Sequence, residues 1–181
     1  MDALEDARAR AARIKLMAFD VDGVLSDGSL YYTDEGVEIK AFNSVDGLGI
    51  NLLQKAGIEL AIITGRNAPC VEKRAKHLHI GHLYQGVEDK LAALRDILRK
   101  SGLLAEEAGY MGDDIIDLRV MAACGFSAAP ADSRDLIKRR ARWVSRYPGG
   151  RGAVREVCEF ILEAQGRLNS ILAAYLPEPS E

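Results

Sequence analysis

IKLMAFDVDG, residues 14–23, begins as an apolar run that only Lys15 interrupts and ends in two acids one residue apart. Such a run is typical of a strand buried in a parallel sheet, and ligands of these sheets bind at the carboxyl edge. Asp20 and Asp22 are therefore expected at a ligand-binding edge. The alternative is a structural turn, because Asp-Gly is a common hairpin signal and Asp often caps helices.

The composition is that of a globular chain. Of its 181 residues, 48% are hydrophobic and 28% are charged, which predicts a single domain over 1–181 with a substantial core. The net charge of −3 gives no basic field for nucleic acid. The basic residues within 134–142 are expected to form a solvated helix face.

The cysteines and the apolar stretches indicate the cellular compartment of the protein. Cys70, Cys124 and Cys158 are widely spaced and form no C-x-x-C pair, which favours a reducing compartment over a disulfide framework or a thiolate metal site. No apolar stretch is long enough for a membrane span, and residues 1–13 alternate charges with alanines, unlike a signal peptide. We expect a cytoplasmic protein with no membrane or nucleic-acid partner.

Strand-like and helix-like segments alternate along the chain, which predicts an α/β fold with a doubly wound, Rossmann-like parallel sheet. After a short N-terminal helix, strands are predicted at 15–20, 58–64, 82–85, 109–111, 126–129 and 143–145. Helices are predicted at 46–56, 68–78, 88–100, 115–123, 133–141 and 153–164.

One segment departs from this alternation. Residues 28–42 hold two β-rich runs around a Thr-Asp-Glu-Gly turn, which predicts a hairpin projecting from the first strand-to-helix connection. Between Asp20 and Thr64 only this hairpin and one helix fit, so no cap domain is expected. The tail, about 167–181, is expected to be loosely ordered.

Polar residues follow four successive predicted strands. These residues are Asp20 and Asp22 after the first strand, Thr64, Gly65 and Arg66 after the second, Lys90 after the third, and Asp113, Asp114 and Asp117 after the fourth. Lys90 falls in a first helical turn, where a lysine opposes the helix dipole at a cost of about 0.3–1 kcal/mol. Residues that break a local rule are often functional. For Asp113 and Asp114 the alternative role is helix capping.

This set of side chains predicts a chemistry. Several acids with one lysine, and no His or Cys ligand pattern, form a hard-oxygen site that suits Mg²⁺ rather than zinc. A phosphoryl group is the natural bridge between Mg²⁺, a lysine and a threonine. Phosphoryl transfer depends mainly on positioning and charge neutralisation, which these residues can supply.

The same residues resemble the four motifs of the haloacid dehalogenase superfamily, in order and over most of the chain. The matching segments are DVDG at 20–23, TGR at 64–66, Lys90 and GDDIID at 112–117. Further segments resemble one branch, the 3-deoxy-D-manno-octulosonate 8-phosphate (KDO 8-phosphate) phosphatases of lipopolysaccharide biosynthesis. These segments are KAFN at 40–43, DG at 46–47, GGRGAVRE at 149–156 and AQG at 164–166.

The resemblance implies an enzyme, a phosphoric monoester hydrolase with an aspartyl-phosphate intermediate. Asp20 would be the nucleophile and Asp22 the general acid and base. The roles of the remaining residues are also implied: Mg²⁺ held by Asp20, the Asp22 carbonyl and Asp113; phosphoryl oxygens bound by Thr64, Gly65 and Lys90; Lys90 or metal-bound water oriented by Asp114 and Asp117.

The resemblance also implies a homotetramer in which a neighbour's hairpin, and its tail, cover each site. Arg66 and Arg74 match positions that bind the sugar carboxylate in the family. Many relatives have an arginine two residues after the Phe-Asn pair, where this chain has Ser44-Val45, so Ser44 is the expected substrate contact there.

Two alternatives stay open. One is a phosphatase for another acid sugar phosphate, such as a nine-carbon sialic acid precursor, although those relatives tend to carry Glu at the position of Arg66. The other is a non-enzymatic phospho-receiver or regulatory domain. Receiver domains also combine Asp, Thr and Lys around Mg²⁺, but they lack the second acid that Asp22 supplies.

Overall fold

A six-stranded parallel sheet forms the centre of the computed structural model, which describes residues 2–177. The strand order is β5-β4-β1-β6-β7-β8, and every neighbouring pair is parallel. The strands are β1 Leu16–Phe19, β4 Glu59–Ile63, β5 His82–Tyr84, β6 Ala108–Met111, β7 Phe126–Ala129 and β8 Trp143–Val144. The predicted doubly wound α/β fold is confirmed.

Eight helices surround the sheet in the described residues. They are α1 Ala3–Ala11, α2 Ser44–Lys55, α3 Pro69–His77, α4 Lys90–Ser101, α5 Leu118–Ala123, α6 Asp135–Arg140, α7 Ala153–Ala164 and α8 Leu168–Ala173. Short 3₁₀ turns cover Ala105–Glu107 and Ile115–Asp117. The sequence predicted one helix over 115–123, whereas the structure begins it with the 3₁₀ turn, because the Asp114 side chain caps Ile115.

The core has two layers because successive strand residues face opposite sides of the sheet. In β1, Met17 and Phe19 pack with α1, α2, α3 and α7, whereas Leu16 and Ala18 pack with α4, α5 and α6. All four side chains are fully buried. The strand is therefore fixed on both faces, and the residues that follow it have a rigid support.

The predicted hairpin is confirmed as β2 (Tyr31–Tyr32) paired antiparallel with β3 (Glu38–Ile39). Its two strands form a sheet separate from the central one. No cap domain occurs in the 2–177 range, and this hairpin is the segment that projects between β1 and α2.

The tail differs from the expected loose order over its first part. Helix α8 covers Leu168–Ala173 and packs against α7, with Leu168 buried. The Lys55 ammonium lies 4.6 Å from the centre of the Tyr175 ring, which attaches the helix to the end of α2. Residues 178–181 of the predicted tail lie outside the described residues. Among residues 2–177, no helix is both long and apolar enough to cross a membrane.

Candidate active site

A cavity of about 220 Å³ opens at the carboxyl edge of the sheet. The predicted site residues that line it are Asp20, Asp22, Thr64, Gly65, Arg66, Asp113 and Asp114. They converge because β1 lies between β4 and β6, so that the ends of all three strands meet at one point. A larger cavity of about 500 Å³ lies at the opposite edge, but its acids, Glu106 and Glu107, are not buried, so size alone does not locate the site.

A tight turn carries the chain out of β1. Asp22 (φ −74°, ψ 120°) and Gly23 (φ 83°, ψ −4°) have the dihedral angles of a type II turn, which requires a residue that tolerates positive φ at its third position. A Cβ atom on Gly23 would lie 2.2 Å from Asp113 Oδ2. On the other side, a Cβ atom on Gly149 would lie 1.9 Å from the Gly23 carbonyl oxygen. Gly23 thus allows the turn to pack against Asp113, and Gly149 allows its own loop to pack against the turn.

Lys90 and Asp117, together with Asp20 and Asp113, form the floor of the site. The buried Lys90 ammonium lies 2.9 Å from Asp20 Oδ2 and 2.6 Å from Asp117 Oδ1. Asp117 Oδ1 also accepts from the Tyr110 hydroxyl, and its Oδ2 accepts from the backbone N–H groups of Asp113 and Asp114. Burial alone would lower the pKa of Lys90, but the charges of Asp20 and Asp117 raise it above its usual value. The ammonium is therefore held charged beside Asp20.

The carboxylates outnumber that ammonium. Burial and the nearby charge of Asp117 raise the pKa of Asp20 to about 6, although Lys90 opposes the shift. Burial and the charges of Asp20, Asp117 and Asp114 raise the pKa of Asp113 to about 8. Three acids therefore crowd one lysine, and the site favours any further cation.

Oxygens suitable for a metal ion lie in this cluster. One carboxylate oxygen each from Asp20, Asp113 and Asp117 fall within 4.8 Å of one another. Asp113 Oδ1 is buried and has no hydrogen-bond partner in the described residues, whereas both Asp117 oxygens accept hydrogen bonds. The residues fit a hard divalent cation held by Asp20 and Asp113.

Two residues that the site prediction missed, Glu38 and Lys40 of the hairpin, lie behind the cavity lining and contact Arg66 and Asp22 of that lining. These four residues are called the rim. The Lys40 ammonium contacts Asp22 Oδ1 and lies 2.6 Å from Glu38 Oε1. Arg66 donates to Glu38 Oε2 at 2.6 Å and to the Tyr32 hydroxyl at 2.9 Å. The signal was present in the sequence, because Glu38 and Lys40 are two residues apart in the β-rich run 37–42, and alternate residues of an extended run share a face.

Three predicted site residues lie elsewhere or make other contacts. Arg74 is absent from the cavity lining; it donates to the Asn43 carbonyl at 3.0 Å, and its guanidinium carbon lies 5.6 Å from the centre of the Phe42 ring. Ser44 is exposed in the first turn of α2, outside the lining. Asp114 lines the cavity, but its carboxylate caps Ile115 rather than contacting Lys90.

Several named proteins are similar to this chain over most of its length. The KDO 8-phosphate phosphatase KdsC of Escherichia coli B/BL21-DE3 is 51% identical over 164 residues, which cover 91% of this chain and 87% of that protein. The Moraxella catarrhalis KDO 8-phosphate phosphatase, solved in complex with magnesium ion, phosphate ion and KDO, is 42% identical with a TM-score of 0.93, covering 95% of this chain and 99% of that one. The cobalt-bound Haemophilus influenzae phosphatase is 41% identical with a TM-score of 0.85, covering 88% and 93%.

The chain belongs to the KDO 8-phosphate phosphatase family of the haloacid dehalogenase superfamily. No protein-family model matches it. The family resemblance seen in the motifs is thereby confirmed.

Asp46, in a segment that resembles this phosphatase family, has a structural position. Its buried carboxylate accepts from the backbone N–H groups of Arg155 at 2.9 Å and Gly152 at 3.3 Å, at the start of α7. Burial raises the pKa of Asp46. Asp46 therefore joins α2 to α7 and fixes the loop that presses on the Gly23 turn.

Proposed function

We propose that this chain is a Mg²⁺-dependent phosphatase that hydrolyses KDO 8-phosphate to KDO and inorganic phosphate, a step of lipopolysaccharide biosynthesis. The observation that carries the proposal is the cluster of Asp20, Lys90 and Asp113 at the carboxyl edge of the sheet, in a chain that is 51% identical to KdsC over 91% of its length.

We assign the role of nucleophile to Asp20. Its carboxylate is buried at the cavity floor, with Oδ1 accepting from the Val21 N–H at 2.7 Å and Oδ2 beside Lys90. Attack by a carboxylate oxygen forms an aspartyl-phosphate and breaks the bond from phosphorus to the sugar oxygen. Asp22 donates the proton that the sugar oxygen takes up, and then accepts a proton from the water that hydrolyses the intermediate.

The remaining residues of the site would bind the phosphoryl group and the metal ion. Thr64, the Gly65 backbone and Lys90 would bind the phosphoryl oxygens, and Asp117 holds Lys90 in place. Asp20, Asp113 and the backbone carbonyl of Asp22 would hold Mg²⁺. When bound, the metal supplies the positive charge that offsets repulsion between carboxylate and phosphate.

The sugar end of the substrate would meet the rim. Arg66 lines the cavity and presents a guanidinium with 42% of its side chain exposed, which suits the carboxylate of an acid sugar. Arg74 and Ser44 lie outside this cavity, and we propose that they reach the substrate only in the assembled oligomer.

We propose that the whole chain acts as one catalytic domain of a cytoplasmic homotetramer. The hairpin supports this assembly because its charged residues Glu38 and Lys40 contact the rest of the domain, whereas its apolar residues are exposed. Val37 is 59% exposed and Ile39 is 50% exposed. Tyr31 and Tyr32 are 50% and 56% exposed on the same hairpin. An exposed apolar surface of this kind is typical of a protein interface. The three cysteines are free, which fits a reducing compartment.

A substrate panel tests the activity. We expect KDO 8-phosphate to be hydrolysed with the highest kcat/KM, ahead of a nine-carbon acid sugar phosphate and of neutral sugar phosphates, and excess chelator to abolish all turnover until Mg²⁺ is restored. A higher kcat/KM on the nine-carbon substrate would overturn the substrate assignment. Stable phosphorylation of Asp20 without turnover on any substrate would indicate a receiver domain instead.

A further inference from the structure

Four charged side chains close a ring at the rim of the cavity. Lys40 contacts Asp22 Oδ1 and lies 2.6 Å from Glu38 Oε1, and Glu38 Oε2 lies 2.6 Å from an Arg66 nitrogen. Arg66 Nε completes the ring 3.8 Å from Asp22 Oδ2. Charges alternate around the ring, and each carboxylate uses one oxygen toward each cation.

The two oxygens of Asp22 are not equivalent in this ring. Oδ1 is in direct contact with Lys40, whereas Oδ2 is 3.8 Å from Arg66 Nε, beyond hydrogen-bond distance. The contact with Lys40 thus restricts rotation of the carboxylate and leaves Oδ2 as the oxygen free to carry a proton to the leaving group.

Lys40 is suited to hold another residue rather than to bind substrate. None of its side-chain surface is exposed, whereas 42% of the Arg66 side chain is exposed. A buried ammonium between two carboxylates keeps one position, because moving it away from either carboxylate would leave a buried charge without a partner. An exposed arginine can move when substrate arrives.

We propose that Lys40 is a positioning residue for the reaction: by holding Asp22 Oδ1, it aims Asp22 Oδ2 at the sugar oxygen that leaves phosphorus. The proposal rests on the proposed function, in which Asp22 donates that proton. The bond from phosphorus to the sugar oxygen breaks as the Asp20–phosphorus bond forms, and the Asp22 proton ends on the sugar hydroxyl. A different role for Lys40 would be to attach the hairpin to the domain without affecting proton transfer.

Leaving groups separate the two roles. A sugar alkoxide needs a proton as it departs, whereas p-nitrophenolate departs without one. We would measure release of the alcohol or phenol in single turnovers with excess enzyme, comparing wild type with Lys40→Met. The expected result is at least about a tenfold slower release of KDO and less than about a threefold change in p-nitrophenol release, as for a weakened general acid.

Controls keep the comparison decisive. Lys15→Met removes a lysine whose ammonium lies 2.6 Å from Glu107 at the other end of β1, and it should change neither rate. Lys40→Gln keeps a hydrogen-bond donor for Asp22, so we expect a smaller loss on KDO 8-phosphate; it also decides the matter if Lys40→Met does not fold. Equal slowing of both substrates, or no slowing of either, would overturn the positioning role. The wild-type rate on KDO 8-phosphate tests the proposed function separately.

Discussion

The floor and the rim of the cavity differ in their balance of charge. At the floor, Asp20, Asp113 and Asp117 share one cation, Lys90. At the rim, Asp22 and Glu38 alternate with Lys40 and Arg66, and the charges cancel. The floor therefore lacks positive charge, which a divalent cation can supply, whereas the charges of the rim balance without one.

The floor and the rim also differ in their exposure and in the structural elements that form them. The floor side chains of Asp20, Lys90 and Asp117 are at most 6% exposed and stand at the ends of central strands or the starts of helices. The rim depends on a two-stranded hairpin and an arginine that is 42% exposed. The buried floor suits binding of the metal and the phosphoryl group, and the exposed arginine of the rim suits recognition of the rest of the substrate.

The largest expected effect comes from the nucleophile at the floor. Asp20→Asn keeps the shape of the side chain but replaces the anionic carboxylate with a neutral amide, so kcat should fall by at least about a thousandfold. Steady-state assays on KDO 8-phosphate, with circular dichroism to verify the fold, would measure this. Asp34→Asn, at the exposed hairpin turn, is the matched control and should keep full activity. A variant at Asp20 with more than about one hundredth of the wild-type rate would contradict a covalent mechanism.

Metal binding should be the next most sensitive property of the floor. Because the pKa of Asp113 is raised to about 8 and that of Asp20 to about 6, Mg²⁺ must displace protons as the pH falls. Calorimetric titration of the metal-free protein should show about a hundredfold weaker Mg²⁺ binding at pH 6 than at pH 8. Asp113→Asn should bind weakly at both pH values. Equal Mg²⁺ affinity of the wild type at the two pH values would contradict the shortage of positive charge at the floor.

The floor could be predicted from sequence because it is encoded locally. Asp20, Thr64 and Asp113 each follow an apolar run directly, so the sheet itself brings them together. Lys90 was recognisable because a lysine in a first helical turn is unfavourable by itself. The helix boundaries near Ile115 and Leu168 were not predictable in the same way, since a side-chain cap and tertiary packing decide them.

The contacts of the rim were less predictable, for a physical reason. Lys40 is 18 residues from Asp22, and Glu38 is 28 residues from Arg66. The alternation of Glu38 and Lys40 indicates a shared face, but it does not say which distant carboxylate that face meets. The meeting depends on how the hairpin folds back over the turn after β1, which no local pattern specifies.

Stability of the metal-free protein gives a test of smaller size. In the unfolded chain Asp113 has the ordinary pKa of about 3.9. Between that value and its folded pKa of about 8, the folded state holds a proton that the unfolded state does not, so the free energy of unfolding falls as pH rises through this window. Asp113→Asn removes the penalty. At pH 8 the metal-free variant should melt about 5 °C above the metal-free wild type, with the difference shrinking toward pH 5.

Added Mg²⁺ should reverse that order. It should raise the melting temperature of the wild type at pH 8 and leave Asp113→Asn nearly unchanged, because the variant lacks the free carboxylate oxygen. Asp34→Asn, which alters an exposed acid of the hairpin turn, is the matched control and should follow the wild type. A metal-free Asp113→Asn protein that melts below the wild type at pH 8 would show that the floor has no shortage of positive charge.

The smallest effect should come from Arg66, the exposed arginine of the rim, and it should depend on salt. Arg66→Gln removes one exposed cation, so the KM for KDO 8-phosphate should rise by about threefold to tenfold at an ionic strength of about 0.02 M. The rise should shrink at about 0.5 M salt, because screening acts on exposed charges, whereas the loss in Asp20→Asn should not change. Arg139→Gln, an exposed arginine of α6, is the control for general surface charge. A salt-independent loss, equal on p-nitrophenyl phosphate, would mean that Arg66 serves the part of the site that both substrates share rather than the sugar carboxylate, and the separation between floor and rim would no longer hold.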